Sequence, residues 1–580
     1  MTTAQPEISR FPVFRRPVFL LPSGWGLGIV AVAAVVAAPL GAVLGIALGP
    51  AGDIWTHLAG TVLWRYVSAT VLLSAGVGLG VLVLGTGTAW LVTLCRFPGR
   101  NLFEWGLLLP LAMPAYLAAY AYTDLLDYAG PVQSALRGLF GWETKAEYWF
   151  PQIRSLGGAM TFMTLVLYPY VYLLGRAAFL EQSAGVLEMG RALGRGAWRV
   201  FFTIALPLAR PALVIGVLLA VMETLNDFGT VDYFAVPTFT VAIYRVWFAM
   251  NNAPGAAQLA SVLLGAVLVL IALERLARRS RRYHSGPEKN RPLPSYPLRG
   301  WRAWLALCFC ALPIVLGFMV PSGVLIAQSL GVAGGEAARG LWGFLANSLL
   351  VSSLAAGACV GVGLFMAYGL RMHGGPVSRG ASRVASVGYA VPGAVLAIGV
   401  LIPAAWLDNT LDAYLRSNFG VSTGLLLSGT LAAIVFACVV RFLALSFGTL
   451  EAGLAKITPA LDDAARSLGA GSLGVLRRVH LPLMRGSLLT AALLVFVDSM
   501  KELPMTLILR PFNFDTLATH VYEYASNEQF HLAAPSAMAI VAAGLFPVIL
   551  LSRAISRSRP HRIGPKWDPD RKGGSQWYSA

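Results

Sequence analysis

Charge is scarce in this sequence. Of 580 residues only 12% are Asp, Glu, Lys or Arg, against 57% hydrophobic residues and a mean hydropathy of +0.68. So little charge excludes an ordinary soluble globular domain. Acid is the scarcer sign, 27 residues against 44 basic ones, for a formal net charge of +17. The basic residues sit in short loops between apolar stretches and not on a hydrophilic domain, which excludes a nucleic-acid partner. The five cysteines, Cys95, Cys308, Cys310, Cys359 and Cys438, have no metal-ligand spacing and read as small buried hydrophobes. Cys308 and Cys310 are two apart, which on a helix sends them to different faces. A phosphate-binding G-x-x-x-x-G-K-[ST] loop is missing, so the chain is not expected to hydrolyse ATP itself. No nucleophile, base and orienting group stand together, so no covalent chemistry is expected. The start lacks a short apolar core with a small-residue cleavage site, so the first apolar span reads as retained.

What the chain has instead is long apolar runs, among them Leu27–Leu48, Val67–Leu94, Leu349–Leu370 and Ala533–Leu551. These are continuous and not alternating, which favours membrane helices over a β-barrel. Twelve spans are expected, near 24–48, 67–95, 102–124, 156–178, 207–228 and 256–275, then 303–328, 343–370, 384–407, 422–448, 484–508 and 533–553. Arg10, Arg15, Arg16, Arg96, Arg100 and the cluster from Arg275 to Arg302 mark the cytoplasmic side by the positive-inside rule, placing both termini inside. The chain then divides into a cytoplasmic segment 1–23, a six-helix half 24–275, a Pro-rich basic linker 276–302, a second half 303–553 and a basic tail 554–580. Linker and tail suit contact with anionic lipid as well as setting topology. Trp142, Tyr148, Trp149 and Phe150 read as an aromatic belt at the outer interface.

An internal repeat organises the whole. Glu188–Leu213 aligns with Asp463–Leu488 at an offset of 275 residues, with ten identities in twenty-six positions, among them Arg191/Arg466, Gly194/Gly469, Pro207/Pro482 and Arg210/Arg485. Each copy lies between the fourth and fifth spans of its half, within 185–207 and 460–482. Each reads as a short helix, a break and another helix. Small residues Gly190, Ala464 and Ala465 leave a surface that another protein can approach, Gly194 and Gly469 permit a sharp turn, and Pro207 and Pro482 suit the first turn of the next helix. An even number of spans per half gives the copies the same orientation, related by a pseudo-twofold axis along the membrane normal, with a pathway between them.

At these loops the sequence resembles the inner-membrane subunits of binding-protein-dependent ABC importers, whose cytoplasmic EAA loop has this Glu-Ala-Ala, Gly, Leu-Pro pattern. The resemblance covers nearly the whole chain. It implies an all-α polytopic fold of two six-helix halves, multi-pass in the cell inner membrane. It also implies two copies of a cytoplasmic ATPase that holds ATP and Mg, a substrate-binding protein outside, and no cofactor on this chain. Glu188, Arg191, Gly194 and Pro207, with Asp463, Arg466, Gly469 and Pro482, would then couple to the ATPase. The first copy departs from the pattern with Met189-Gly190, and the second with Asp463 in place of Glu. The flanking words METLNDFGTVDYFAVPTFTVAIYRVWF and DSMKELPMTLILRPFNFDTLATHVYEYASNEQF look most like fused ferric iron permeases within the family. Relatives of the same architecture carry thiamine, polyamines or sulfate.

Beyond the loops the register continues, pairing Glu223 with Asp498, Asp227 with Glu502 and Arg245 with His520. Glu223 lies sixteen residues past Pro207, roughly 24 Å along a helix at about 1.5 Å per residue. Carboxylates at such depth are costly unless they meet water, a partner or a substrate. Glu223, Asp227, Asp498 and Glu502 therefore either line a cavity for a cationic or metal-containing cargo, touched in transit with no stable metal site, or pair with Asn226, Lys501, Arg510 or backbone to fix helix ends. The segments LLLPLAMPAY and VGYAVPGAVLAIG carry prolines that either shape a pathway or make packing kinks. Arg441 reads as a snorkelling residue near a helix end. The rival of a different class is a secondary transporter driven by an ion gradient, which also uses repeated halves and buried carboxylates but leaves the docking loops unexplained.

Overall fold

The computed structural model describes residues 24–182, 188–189, 193, 196–279, 296–332 and 336–557. Ten helices among the described residues are long and apolar enough to cross a membrane, and two bent pairs raise the number to twelve. The chain is an all-α polytopic protein of two repeated halves.

Two of the expected spans are bent pairs, and one of them breaks at the proline segment LLLPLAMPAY. The third span turns through 89° between Arg100–Ala112 and Ala115–Phe140. The break falls at Met113-Pro114, where proline disfavours a helical conformation for the residue before it. Its counterpart in the second half is a short turn, Gly388–Ala390, followed by Val391-Pro392 and the helix Gly393–Phe419. The eleventh span bends through 77° between Ser472–Leu483 and Arg485–Met500.

Prolines in this chain leave a recurring trace. A π-helical turn spans Phe201–Ala205, Leu476–His480 and Val315–Met319, and Pro207, Pro482 and Pro321 each stand two residues beyond one. A proline removes one N–H and crowds the preceding turn, and the widened turn absorbs both defects. Pro207 and Pro482 therefore do not open their helices. These start earlier, at Trp198 and Ser472.

The halves interlock. The first helix, Gly24–Ala47, packs against Glu336–His373, Pro376–Ala385 and Gly393–Phe419 of the other half as well as the last helix of its own, Ala253–Arg279. Val320–Val332 reciprocates against Ala115–Leu126 of the first half and against Phe530–Arg557. Trp25 meets Phe365 and Tyr368 at ring separations of 5.3 and 5.4 Å. At the crossing, a Cβ on Gly399 would stand 2.3 Å from the Pro39 carbonyl oxygen. Gly399→Leu should therefore destabilise the chain by about 1–3 kcal/mol through overpacking. Gly45→Ala, in the same first helix with nothing within 4 Å of the new methyl, should be neutral or better. Thermal inactivation of the two variants in detergent checks this pair.

A two-residue parallel pairing of Cys95–Arg96 with Tyr296–Pro297, extended by Leu298 N–H donating to the Arg96 carbonyl at 2.9 Å, ties the end of the linker to the first half.

Candidate functional site

Each half sends one helix from its repeated loop into the middle of the molecule. Trp198–Asn226 does so in the first half and the bent pair Ser472–Leu483 and Arg485–Met500 in the second. Residues at the ends of both line one cavity of about 100 Å³. Glu223, Asp227, Asp498 and Glu502 all line it, so the structure gathers the four carboxylates that the repeat singled out. Met113, Pro114 and Tyr116 from one proline break and Tyr389 from the other complete the wall, so the breaks shape the cavity and are not mere packing kinks. Gly388 is needed beside Tyr389, since a Cβ there would fall 2.0 Å from the Val440 carbonyl oxygen.

The four carboxylates are not equivalent. Asp227 accepts from Thr230 N–H and Thr230 Oγ1, both at 2.9 Å, and from Val231 N–H at 3.3 Å, capping the short helix Gly229–Tyr233. Glu502 does the same for Pro504–Leu509 by accepting from Met505 N–H at 3.0 Å. It also takes an ion pair from Arg441, Nη1 to Oε1 and Oε2 at 3.1 Å each. Asp498 is bridged by Lys501 Nζ at 2.8 Å, one turn along the same helix. The Glu223 carboxylate has no hydrogen bond or ion pair among the described residues. The pairing that the sequence offered as one alternative is thus seen on Asp227, Asp498 and Glu502 and not on Glu223. Arg510, expected as a partner for this set, instead pairs with Asp515 and, at 3.8 Å, with Glu523.

Arg441 corrects the sequence reading. It does not snorkel to an interface. It is 6% exposed, lines the cavity and holds Glu502, itself 6% exposed. Gly393, the residue after Pro392, makes room for this pair, because a Cβ there would meet Arg441 Nη1 at 2.5 Å and Glu502 Oε1 at 2.8 Å. The available signal was the repeat itself, which places Val166 opposite Arg441 and so marks the arginine as an addition to one half.

A second correction concerns register. The offset of 275 holds through Asp227/Glu502 and then widens to 278. Thr238 and Thr516 are corresponding helix N-caps, and Phe239 N–H donates to Thr70 Oγ1 at 3.1 Å just as Leu517 N–H donates to Ser348 Oγ at 2.8 Å. Arg245 therefore corresponds to Glu523 and not to His520. The halves also meet through Tyr522 Oη donating to Asp232 Oδ2 at 2.8 Å and Tyr244 Oη donating to the Pro504 carbonyl. At the end of the molecule away from the repeated loops, Arg154 bridges Asp127 at 3.5 Å and Glu528 at 3.3 Å.

In the second repeated loop, Pro459–Ser467 is a short helix ended by Gly469 in the left-handed region, φ +81°, before the next helix starts at Ser472. The sequence expected this form. Asp463, Arg466 and Leu468 are exposed, Leu468 at 89%. The neighbouring Asp462, which the sequence reading passed over, is buried. It takes Arg371 Nε at 2.8 Å and His480 Nε2 at 2.7 Å. Arg371 also donates to the Leu454 and Ile457 carbonyls. Burial pushes the Asp462 carboxyl up, but the hydrogen bonds and charges of Arg371 and His480 outweigh it and hold the group below the usual range. In the first loop Glu188, Met189 and Leu193 are exposed, while Arg191 and Gly194 lie outside the described residues. At the positions of Asp462 and His480 the first half has Leu187 and Ala205.

A family model described as the inner membrane component of binding-protein-dependent transport systems matches this chain twice, at residues 82–282 and 359–561. The Fe(3+)-transport system permease protein FbpB 2 of Haemophilus influenzae is 27% identical over 492 residues, covering 84% of this chain and 89% of its own. The molybdenum transport system permease protein ModB of Escherichia coli K12 is 33% identical over 225 residues, 38% of this chain but 95% of its own, the length of one half. The sulfate transport system permease protein CysT of the same strain is 29% identical over 194 residues, 33% of this chain and 67% of its own.

Proposed function

The chain belongs to the family of binding-protein-dependent transport system inner membrane components, and on that premise we propose that it is the translocation subunit of an ATP-driven importer of ferric iron. It is a multi-pass membrane transport subunit and not itself an enzyme. ATP and Mg belong on two copies of a separate cytoplasmic ATPase, cargo arrives on an extracytoplasmic binding protein, and both termini face the cytoplasm.

The observation that carries this reading is mechanical. Each repeated loop opens into a helix whose far end bears cavity carboxylates, Glu223 near Asn226 and Asp498 near Met500. In the first half the unbroken helix transmits displacement along its axis, and in the second the push crosses the 77° bend at Met484, so movement at the loops reaches the walls of the cavity. Glu188, Arg191, Gly194 and Pro207, with Asp463, Arg466, Gly469 and Pro482, are the contact elements for the ATPase. Exposed Met189, Leu193 and Leu468 supply apolar surface for its cleft. Ferric iron rests on the likeness to the iron permease and on a cavity holding four carboxylates against two cations, Arg441 and Lys501.

A second reading is favoured by Arg441, whose buried Nε has no hydrogen-bond partner. A free guanidinium N–H suits an oxyanion, and two relatives are named for molybdenum and sulfate. The test reconstitutes the chain with its ATPase in nanodiscs and adds binding protein loaded with ferric iron, sulfate or thiamine. Stimulation of ATP hydrolysis by the iron form alone is expected. Stimulation by sulfate alone would replace the cargo and keep the mechanism, and failure of any ATPase to associate would overturn both.

A further inference from the structure

The two halves of the cavity wall carry the same motif in two chemical states. In the second half Asp498 and Lys501 stand three residues apart and close on each other at 2.8 Å. At the matching positions of the first half stand Glu223 and Asn226. An amide carries no charge, so Glu223 is left open. Its nearest cations, Lys501 and Arg441, act on it through space without contact. Asn226 is 5% exposed, and its Oδ1 has no hydrogen-bond partner. Tyr116 Oη, on the same cavity, is likewise buried and unpartnered. Among the described residues three cavity-lining side chains, Asn226, Tyr116 and Arg441, carry a buried polar atom without a hydrogen-bond partner. Buried polar atoms are almost always satisfied in native proteins, so the two oxygens, on a cavity that also holds the unpaired Glu223 carboxylate, point to a ligand.

We propose that this opening is the transit site for the cargo: a small hard cation held by the Glu223 carboxylate and the Asn226 amide oxygen, with the Tyr116 hydroxyl as a further oxygen. This rests on the importer reading above. Hard cations choose oxygen donors, and rotation of the amide, a soft torsion, turns its oxygen to the ion. Asp227, Asp498 and Glu502 take no part as ligands because each is already engaged by a helix cap or a cation. They set the negative field instead. Size narrows the cargo as well. Sites for organic ligands run to about 300–1,000 Å³, whereas this cavity of about 100 Å³ has room for an ion with a few waters and not for a vitamin or an organic chelate. A one-sided site with two or three ligands also suits transport, since a cation caged from all sides would not leave.

The experiment uses the full chain in zwitterionic nanodiscs, titrated with Tb3+ as a hard trivalent probe. Tyr116 and its neighbours serve as antennae for its emission. Saturable tyrosine-sensitised emission is expected for the native chain. Asn226→Lys, which rebuilds the closed pair of the other half, and Glu223→Gln should each weaken binding by about tenfold or more. Asn226→Asp, which adds an oxygen charge at constant size, should bind at least as tightly as the native chain and so separates loss of the site from loss of the fold. Equal affinity across the three variants, or no saturable emission from the native chain, overturns the site. Iron uptake by the complete ATPase complex then separates the two levels. Uptake by Asn226→Lys equal to native discards this site and keeps the importer, while no ATP-driven uptake by the native complex discards the importer itself.

Discussion

Arg441→Met should destabilise the chain more than any other single change at the cavity, by about 3–5 kcal/mol, because it leaves the Glu502 carboxylate buried without its cation. The pair is largely buried, both members being 6% exposed. It is also packed closely under Gly393. The double variant Arg441→Met, Glu502→Gln should recover most of the loss. A glutamine oxygen can still accept the Met505 N–H that caps the following helix, and no charge remains to be stranded. The check is the half-life of thermal inactivation in detergent, a kinetic measure suited to a large membrane protein. A double variant no better than the single one would mean that shape and not charge is what Arg441 supplies.

Asp462→Ala should uncouple the second docking loop. The substitution strips a buried anchor from both Arg371, on the helix Glu336–His373, and His480, on the π-helical turn that follows the loop. The loss is about 2–3 kcal/mol of local stability, since Arg371 and His480 are left without the acceptor between them. Local opening should rise roughly 30- to 150-fold on that scale. Hydrogen exchange over 459–480 should report it directly, and ATP-driven uptake should fall while exchange elsewhere stays native. Protection unchanged in that segment would remove Asp462 from the coupling apparatus. The pH dependence has a fixed sign. The Asp462 carboxyl is held below its ordinary 3.8, so its contribution is full above that value and is lost as pH falls through the lower folded value. A spin label on Leu468→Cys, in a Cys308→Ser background that removes the exposed thiol, should thus loosen as acid takes the pH below the ordinary carboxylate range. The Asp462→Ala chain should be loose throughout.

Much of the candidate site was legible because the gene repeats itself. Matching Glu223 with Asp498 and Asp227 with Glu502 across 275 residues picked out four carboxylates that fold into one cavity. The glycine of the docking loop was legible too, since Gly469 occupies the left-handed turn its position called for. Arg441 was misread because distance along a helix does not reveal what faces its side chain. Only Glu502, in the break between the helices Arg485–Met500 and Pro504–Leu509, turns an apparent interface residue into half of a buried pair. Asp462 was passed over for a related reason. The repeat drew attention to the exposed Asp463, whereas the adjacent acid faces inward and has no counterpart in the first half.

The sequence by itself determined the solvent, the number of apolar segments, the duplication and the pattern of the repeated loops, because these depend on composition and on spacing along one chain. Tertiary structure alone decided three things. It exchanged the first helices between the halves, through close approach at Gly399 that no periodicity reports. It turned proline breaks into cavity walls. And it made four look-alike carboxylates unequal, closing three and leaving Glu223 open, because the pairing of a buried charge is settled by which neighbour reaches it in space and not by which residue precedes it in the chain.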